Sequence, residues 1–285
     1  MRLACSSRAK MTHAPTIVEP LEPEAREFYC HTLRVLGEAG LPFLIGGAYA
    51  FSRYTGIERH TKDFDIFVRP DDFEPVLAAL GQAGYQTDVT FPHWLGKALH
   101  GEYFVDVIFG AGNGVARVDD SWFEYSVPET VLGMPARLVP AEEMVWSKAF
   151  IQERERFDGA DVAHLLRASG DSLDWPRLVR RFGPHWRVLL SHLVLFGFIY
   201  PADRKTVPAW VLEHLIKRLQ ATLDADAPTD RVCRGTLLSR QQYLIDIEEW
   251  GYADARTRPD NPMTDEDIAT WTAGIANDGA PDASA

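Results

Sequence analysis

Asp63 and Asp65 flank Phe64 and run directly into Ile66, Phe67 and Val68. In an extended strand, residues two apart share a face, so both carboxylates would project side by side while Phe64 turns away. Like charges that close repel one another unless a cation lies between them, and the segment therefore asks for a divalent metal. A third acid, Asp106, sits in another β-branched and aromatic run, Tyr103 to Phe109. If the two runs pair, three carboxylates converge on a hard, oxygen-preferring cation such as Mg²⁺, which binds few carboxylates and keeps positions open for substrate phosphates.

The elements that must position these acids lie close by. Leu44 and Ile45 end a short apolar strand, Gly46-Gly47 follow, and a helix begins at Ala48 and ends near Gly56. Glycines at such a turn let backbone N–H groups approach a phosphate, and the helix N-terminus adds a favourable dipole. The stretch GGAYAFSRYTGIERHTKDFDIFV thus holds a phosphate turn, a basic and polar approach (Arg59, His60, Thr61, Lys62) and the acid pair, with Asp106 downstream.

In this succession, residues 41 to 109 resemble the core of the polymerase-β-type nucleotidyltransferase superfamily, closest in spelling to the small bacterial antibiotic nucleotidyltransferases and the AbiEii-like toxin enzymes. The resemblance is suggestive over residues 140 to 165 and absent elsewhere. It implies metal ligation by Asp63, Asp65 and Asp106, with Asp106 also taking a proton, and nucleotide contacts from Gly46, Gly47 and Lys62. It also implies a catalytic role for Lys148, placed like a lysine that follows the core in AbiEii-like enzymes, and a supporting role at the nucleotide for the late acid Asp161. Read from the residues alone, Lys148 lies among apolar neighbours and either reaches the phosphates or lays its methylenes on apolar surface with its ammonium in water. Asp158 is placed as a helix N-cap, and Asp161 and His164 would share a helical face.

Composition sets the frame. The chain has 285 residues, 46% hydrophobic and 25% charged, ordinary for a soluble globular protein with two modest cores. Three scattered cysteines, Cys5, Cys30 and Cys233, build neither a disulfide framework nor a zinc site and fit a reducing cytoplasm. The longest apolar stretch, Val188 to Tyr200, is too short to span a bilayer, and the N-terminus lacks the apolar core of a signal peptide. A formal net charge of −12 argues against an extended nucleic-acid surface. Arg177, Arg180, Arg181, His185 and Arg187 crowd one segment, as a solvated helical face or as a local basic patch.

Along the chain, residues 1–17 are unpatterned and expected to be mobile, and residues 18–140 form the α/β catalytic unit, a small mixed sheet with flanking helices. Helical spacing predicts elements over Glu22 to Ala39 and from Pro70 to Gly81 or Gly84, the latter burying Phe73, Val76, Leu77 and Leu80. A strand is expected from Tyr85, then a polar and aromatic connection in which His93 either meets substrate or merely packs, and short β pieces from Tyr125 to Leu138. Residues 141–258 read as a helical domain, with Glu142 and Glu143 suiting the first-turn dipole. Further helices are expected over Trp175 to Phe182, Trp186 to Phe198, Ala209 to Leu219 and Gln241 to Trp250. Residues 259–285 read as a loose tail with a short helix between Thr264 and Ile275.

Three functions fit. The first is Mg²⁺-dependent transfer of a nucleoside monophosphate from a nucleoside triphosphate to a small hydroxylated acceptor, for which the acidic charge favours a cationic molecule. The second is a toxin-type transfer to tRNA or protein, and the third a nucleotide-binding module without activity. Three converging carboxylates repel one another, and an idle site has no physical reason to keep them.

Overall fold

The structure is a computed structural model and describes residues 21–59, 63–259, 261 and 263–274. Lys62, His60 and Thr61 lie outside the described residues, as does the segment 1–17. The strands of the main sheet are β1 (Leu44–Ile45), β2 (Asp63–Phe67), β3 (Gln86–Phe91), β4 (Leu95–His100), β5 (Tyr103–Ile108), β6 (Val127–Val131) and β7 (Met134–Leu138), and Val232–Cys233 and Ala253–Asp254 form a separate two-stranded pair. The main sheet is mixed, in the order β3-β4-β5-β2-β1-β7-β6. The expected α/β class and small mixed sheet are what the chain builds. β4 replaces the irregular connection expected before Asp106. It pairs antiparallel with β5 across a tight turn at Gly101, whose φ of +62° a residue with a Cβ rarely adopts.

The sheet buries one face by the alternation of its strands. Phe64, Ile66, Val105 and Val107 point to that face and are essentially inaccessible. Helices α1 (Pro23–Glu38) and α3 (Pro70–Gln82) cover it: Tyr29 stacks on Phe64 with ring centroids 5.0 Å apart, and Phe73 packs on Phe109 at 4.5 Å. In α3 the predicted stripe of Phe73, Val76, Leu77 and Leu80 is buried. Between β1 and β2, α2 (Gly47–Thr55) closes on Gly56 in the left-handed conformation. The acids lie on the opposite face of the sheet.

Past a short α4 (Asp120–Glu124) and the β6–β7 hairpin, the chain is helical: α5 (Ala141–Ala149), α6 (Gly159–Ser169), α7 (Trp175–Phe182), α8 (Trp186–Ile199), α9 (Ala209–Leu223) and α10 (Leu244–Glu248). α10 is five residues long, half the helix expected there. The boundary expected at residue 140 falls inside one buried cluster that runs from Ala25 to Ala255. In α8, Leu189, Leu193 and Phe196 enter that cluster, whereas Phe198 is 83% exposed. The expected late helix forms as α11 (Asp265–Ala273), started by a capping box at Thr264 and Asp267. It is packed rather than loose. Trp271 is buried so closely on Gly112 that a Cβ there would meet its indole at 2.4 Å, and Asn261 donates to the Asn113 carbonyl at 2.6 Å.

Glu142 and Glu143 are buried at the start of α5, which a favourable dipole alone does not explain. Arg177 of α7 bonds both carboxylates, Arg181 reaches Glu143 at 3.0 Å, and the backbone N–H of Asp174 donates to Glu142 at 2.7 Å. Burying charge is tolerable only when it is paired, so this network pins α7 to α5. Arg181 also bonds Asp119 at 2.6 Å. Two members of the arginine cluster are thus spent inside the fold, Arg177 buried and Arg181 nearly so, whereas Arg180 and Arg187 are exposed. Replacing Arg177 by Met strands two acids, and we expect a loss of about 3 kcal/mol in chemical denaturation, partly recovered by adding Glu142→Gln. A loss under about 1 kcal/mol would contradict this account of the helix pair.

Candidate functional site

The acids meet because β2 and β5 are parallel neighbours in a register that sets Asp65 opposite Asp106 and Asp63 opposite Phe104. Oxygens of Asp63, Asp65 and Asp106 all lie within 4.8 Å of one another. On the far side of β5, Lys97 of β4 stands opposite Asp106 and donates to its Oδ1 at 2.8 Å, with its ammonium 3.9 Å from the centre of the Phe104 ring. Paired residues on neighbouring strands share a face. One row across the sheet therefore reads Lys97, Asp106, Asp65.

The glycine turn continues that row. The Gly46 N–H donates to the Asp65 carbonyl at 3.0 Å, extending the β1–β2 pairing by one step. A Cβ on Gly46 would strike the Phe67 ring at 2.2 Å. Gly47 has φ +52°, and a Cβ there would lie 1.6 Å from Oδ2 of Asp65. Both glycines are required because the turn is pressed against the acidic strand. The expectation of two phosphate-facing amides needs correcting, since the Gly46 amide is engaged in the sheet. The N–H groups of Gly47, Ala48 and Tyr49, which begin α2, have no intrahelical acceptor and remain suited to an anion.

Lys148 projects from the last turn of α5 and donates to Asp158 and Asp161, both at 2.8 Å. Arg156 holds Asp158 through bonds of 3.0 and 3.1 Å, and Arg59 holds Asp161 as a fork, with one bond of 2.9 Å. Burial works against the charge on these two acids, but the bonds from Arg156, Arg59 and Lys148 outweigh it and keep both below the usual carboxylate range. Asp158 does not cap α6 with its side chain, because that carboxylate is taken by Lys148 and Arg156. Asp161 holds two cations. His164 packs beside Phe51 and Tyr200.

The two clusters act on each other electrostatically. Asp65 is pushed up to about 7, first by burial and then by Asp106 and Asp63, while Lys148 and Arg156 pull it down. Asp106 is raised as well, by burial above all, with Lys97 opposing and Asp63 adding to the shift. Carboxylate oxygens from three acids, crowded and half-buried so that charge is unfavourable without a counter-ion, fit a hard divalent cation. His93 is absorbed in packing: Nε2 lies 3.0 Å from the Gly112 carbonyl, and its ring packs between Phe91 and Trp271. Lys97, Arg156 and the role of Arg59 at Asp161 escaped sequence reasoning. For Lys97 the signal was Gly101, which marks a hairpin and hence a strand before Tyr103.

No protein-family model and no curated protein matches this chain. Among solved structures it is similar to the antibiotic-resistance factor ANT(2'')-Ia at 14% identity, covering 71% of this chain and 97% of that one with a TM-score of 0.38. It is similar to the lincosamide antibiotic adenylyltransferase LnuA, in a lincomycin-bound structure, at 16% identity over 50% and 95% of the two chains, TM-score 0.36. An antigenic nucleotidyltransferase-like protein from Paracoccidioides brasiliensis matches at 13% identity over 65% and 94%, TM-score 0.40. Among the described residues, no helix is long and apolar enough to cross a membrane.

The shift at Asp65 has a stability consequence with a definite sign. A carboxyl raised from 3.8 to about 7 binds a proton in the folded chain that the unfolded chain has released, so stability falls as pH rises through that window. In EDTA, Asp65→Asn should gain thermal stability over the parent by several degrees at pH 7.5 and show no such gain near pH 4. An equal gap at both pH values would contradict the assigned repulsion.

Proposed function

We propose that this chain is a nucleotidyltransferase that moves a nucleoside monophosphate from a nucleoside triphosphate to a hydroxyl group of a small acceptor, with release of pyrophosphate. The observation that supports it most is the row Lys97, Asp106, Asp65 with Gly47 pressed against its acidic end. Three acids suited to a cation stand beside a helix N-terminus suited to phosphate, on one face of one sheet.

In this reading Asp63, Asp65 and Asp106 would hold Mg²⁺, which supplies charge neutralisation at the phosphates when bound. The N–H groups that open α2 orient the phosphates, and the ammonium of Lys148, fixed between Asp158 and Asp161, offsets their charge. Asp161 thus serves the nucleotide through Lys148 and Arg59. Asp106 has one oxygen on Lys97, and its other oxygen accepts the proton of the attacking hydroxyl. The hydroxyl oxygen bonds to the α-phosphorus, the bond from that phosphorus to the bridging oxygen breaks, and its electron pair leaves with pyrophosphate. Lys62 belongs to this proposal by the sequence resemblance alone. The net charge of −12 favours an acceptor that is neutral or cationic. Transfer to tRNA drew support from the arginine cluster, and that support weakens because Arg177 and Arg181 are paired internally.

Purified protein mixed with Mg²⁺, each of the four nucleoside triphosphates and a panel of hydroxylated amines should release pyrophosphate. Asp65→Ala and Asp106→Asn should lower that release by about 10²-fold or more, and Lys148→Met should act mainly on nucleotide affinity. Neither release nor metal-dependent binding with any of the four triphosphates would overturn the proposal.

A further inference from the structure

Lys97 has no part in the acid motif, yet it is built into the same row. It is the direct cross-strand partner of Asp106, its ammonium donates to Oδ1 at 2.8 Å, and its side chain is 25% exposed. The Phe104 ring, two residues from Asp106 on the same strand face, lies 3.9 Å from that ammonium and fixes it from a second direction. Lys148, Arg156 and Arg59 are each committed to Asp158 or Asp161, on α6 and the turn before it. Lys97 donates directly to a member of the trio.

Resting on the reading of the trio as a metal site, we infer that Lys97 is a positioning residue: it anchors Asp106 through one oxygen and sets how tightly a divalent ion is held. Geometry and charge both lead there. A carboxylate at the end of a single χ1–χ2 pair can swing, and neighbouring acids push it away; a bond to Oδ1 stops the swing and leaves the second oxygen directed by the first. The same ammonium lowers the negative charge that the trio presents to an ion. The trio stays together before the ion arrives, and the ion is held less tightly than three bare carboxylates would hold it.

The test measures Mn²⁺ affinity by electron paramagnetic resonance, with and without a non-hydrolysable triphosphate, beside thermal unfolding in EDTA and turnover at saturating metal. Lys97→Met should bind Mn²⁺ about tenfold more tightly, unfold several degrees earlier without metal, and turn over about tenfold more slowly when saturated. Lys97→Gln, which loses the charge while keeping a donor, should share the tighter binding, and Lys97→Arg should bind as the parent does. Lys97→Gln also decides the matter if Lys97→Met does not fold. A lysine that merely braced the hairpin would lower stability and leave Mn²⁺ affinity unchanged or weaker in both uncharged variants, and that result overturns the inference while the metal site stands. Should the parent bind no Mn²⁺ under either condition, or bind it equally well after Asp65→Asn, the metal reading itself fails and takes this inference with it.

Discussion

Everything at the candidate site depends on one strand register: β2 and β5 run side by side with Asp65 facing Asp106. The pairing is unfavourable by charge, since it holds like carboxylates within a few ångströms in a half-buried place. It persists because the opposite face of the same strands buries Phe64, Ile66, Val105 and Val107 against α1 and α3. A slip of β2 by one residue against β5 would turn Phe64 and Ile66 out and Asp63 and Asp65 into the core. The hydrophobic face thus enforces the electrostatic strain on the other.

Two kinds of counter-charge border that strain, and they differ in physical role. Lys97 touches the trio through Asp106. Lys148 and Arg156 are held by Asp158 and Asp161 and act on Asp65 through space. Such a shell lowers the repulsion without filling the place where a divalent ion would sit. The buried network of Arg177, Arg181, Glu142 and Glu143 serves a different end, fastening α7 to α5 and so fixing the helix from which Lys148 projects. α11 is also tied back to the sheet side of the molecule, through Trp271 on Gly112 and the Asn261–Asn113 bond.

Much of this was legible in the chain itself. The alternation around Asp63, Asp65 and Asp106 put each acid on the polar face of a strand, Gly46-Gly47 marked the turn before a helix, and the stripe of α3 and the span of α7 stand close to where periodicity places them. Strand β4 was not legible from alternation, because Leu95, Gly96, Ala98 and Leu99 are apolar or small on both faces. The side-chain cap expected at Asp158 failed for a related reason: a local rule met a non-local partner, and Lys148 with Arg156 outbid the helix N–H groups for that carboxylate.

The sequence by itself determined which side chains share a face, where helices and turns begin, and that three acids stand in settings able to bind a hard cation, because those properties follow from neighbours a few residues apart. Only the tertiary structure decided that Asp65 faces Asp106, that Lys97 completes their row, that Arg59 and Lys148 meet on Asp161, and that Arg177 and Arg181 of α7 turn inward. Those pairings join residues separated by up to about a hundred positions, and they are set by which hydrophobic faces pack together, a property of the whole core and of no single segment.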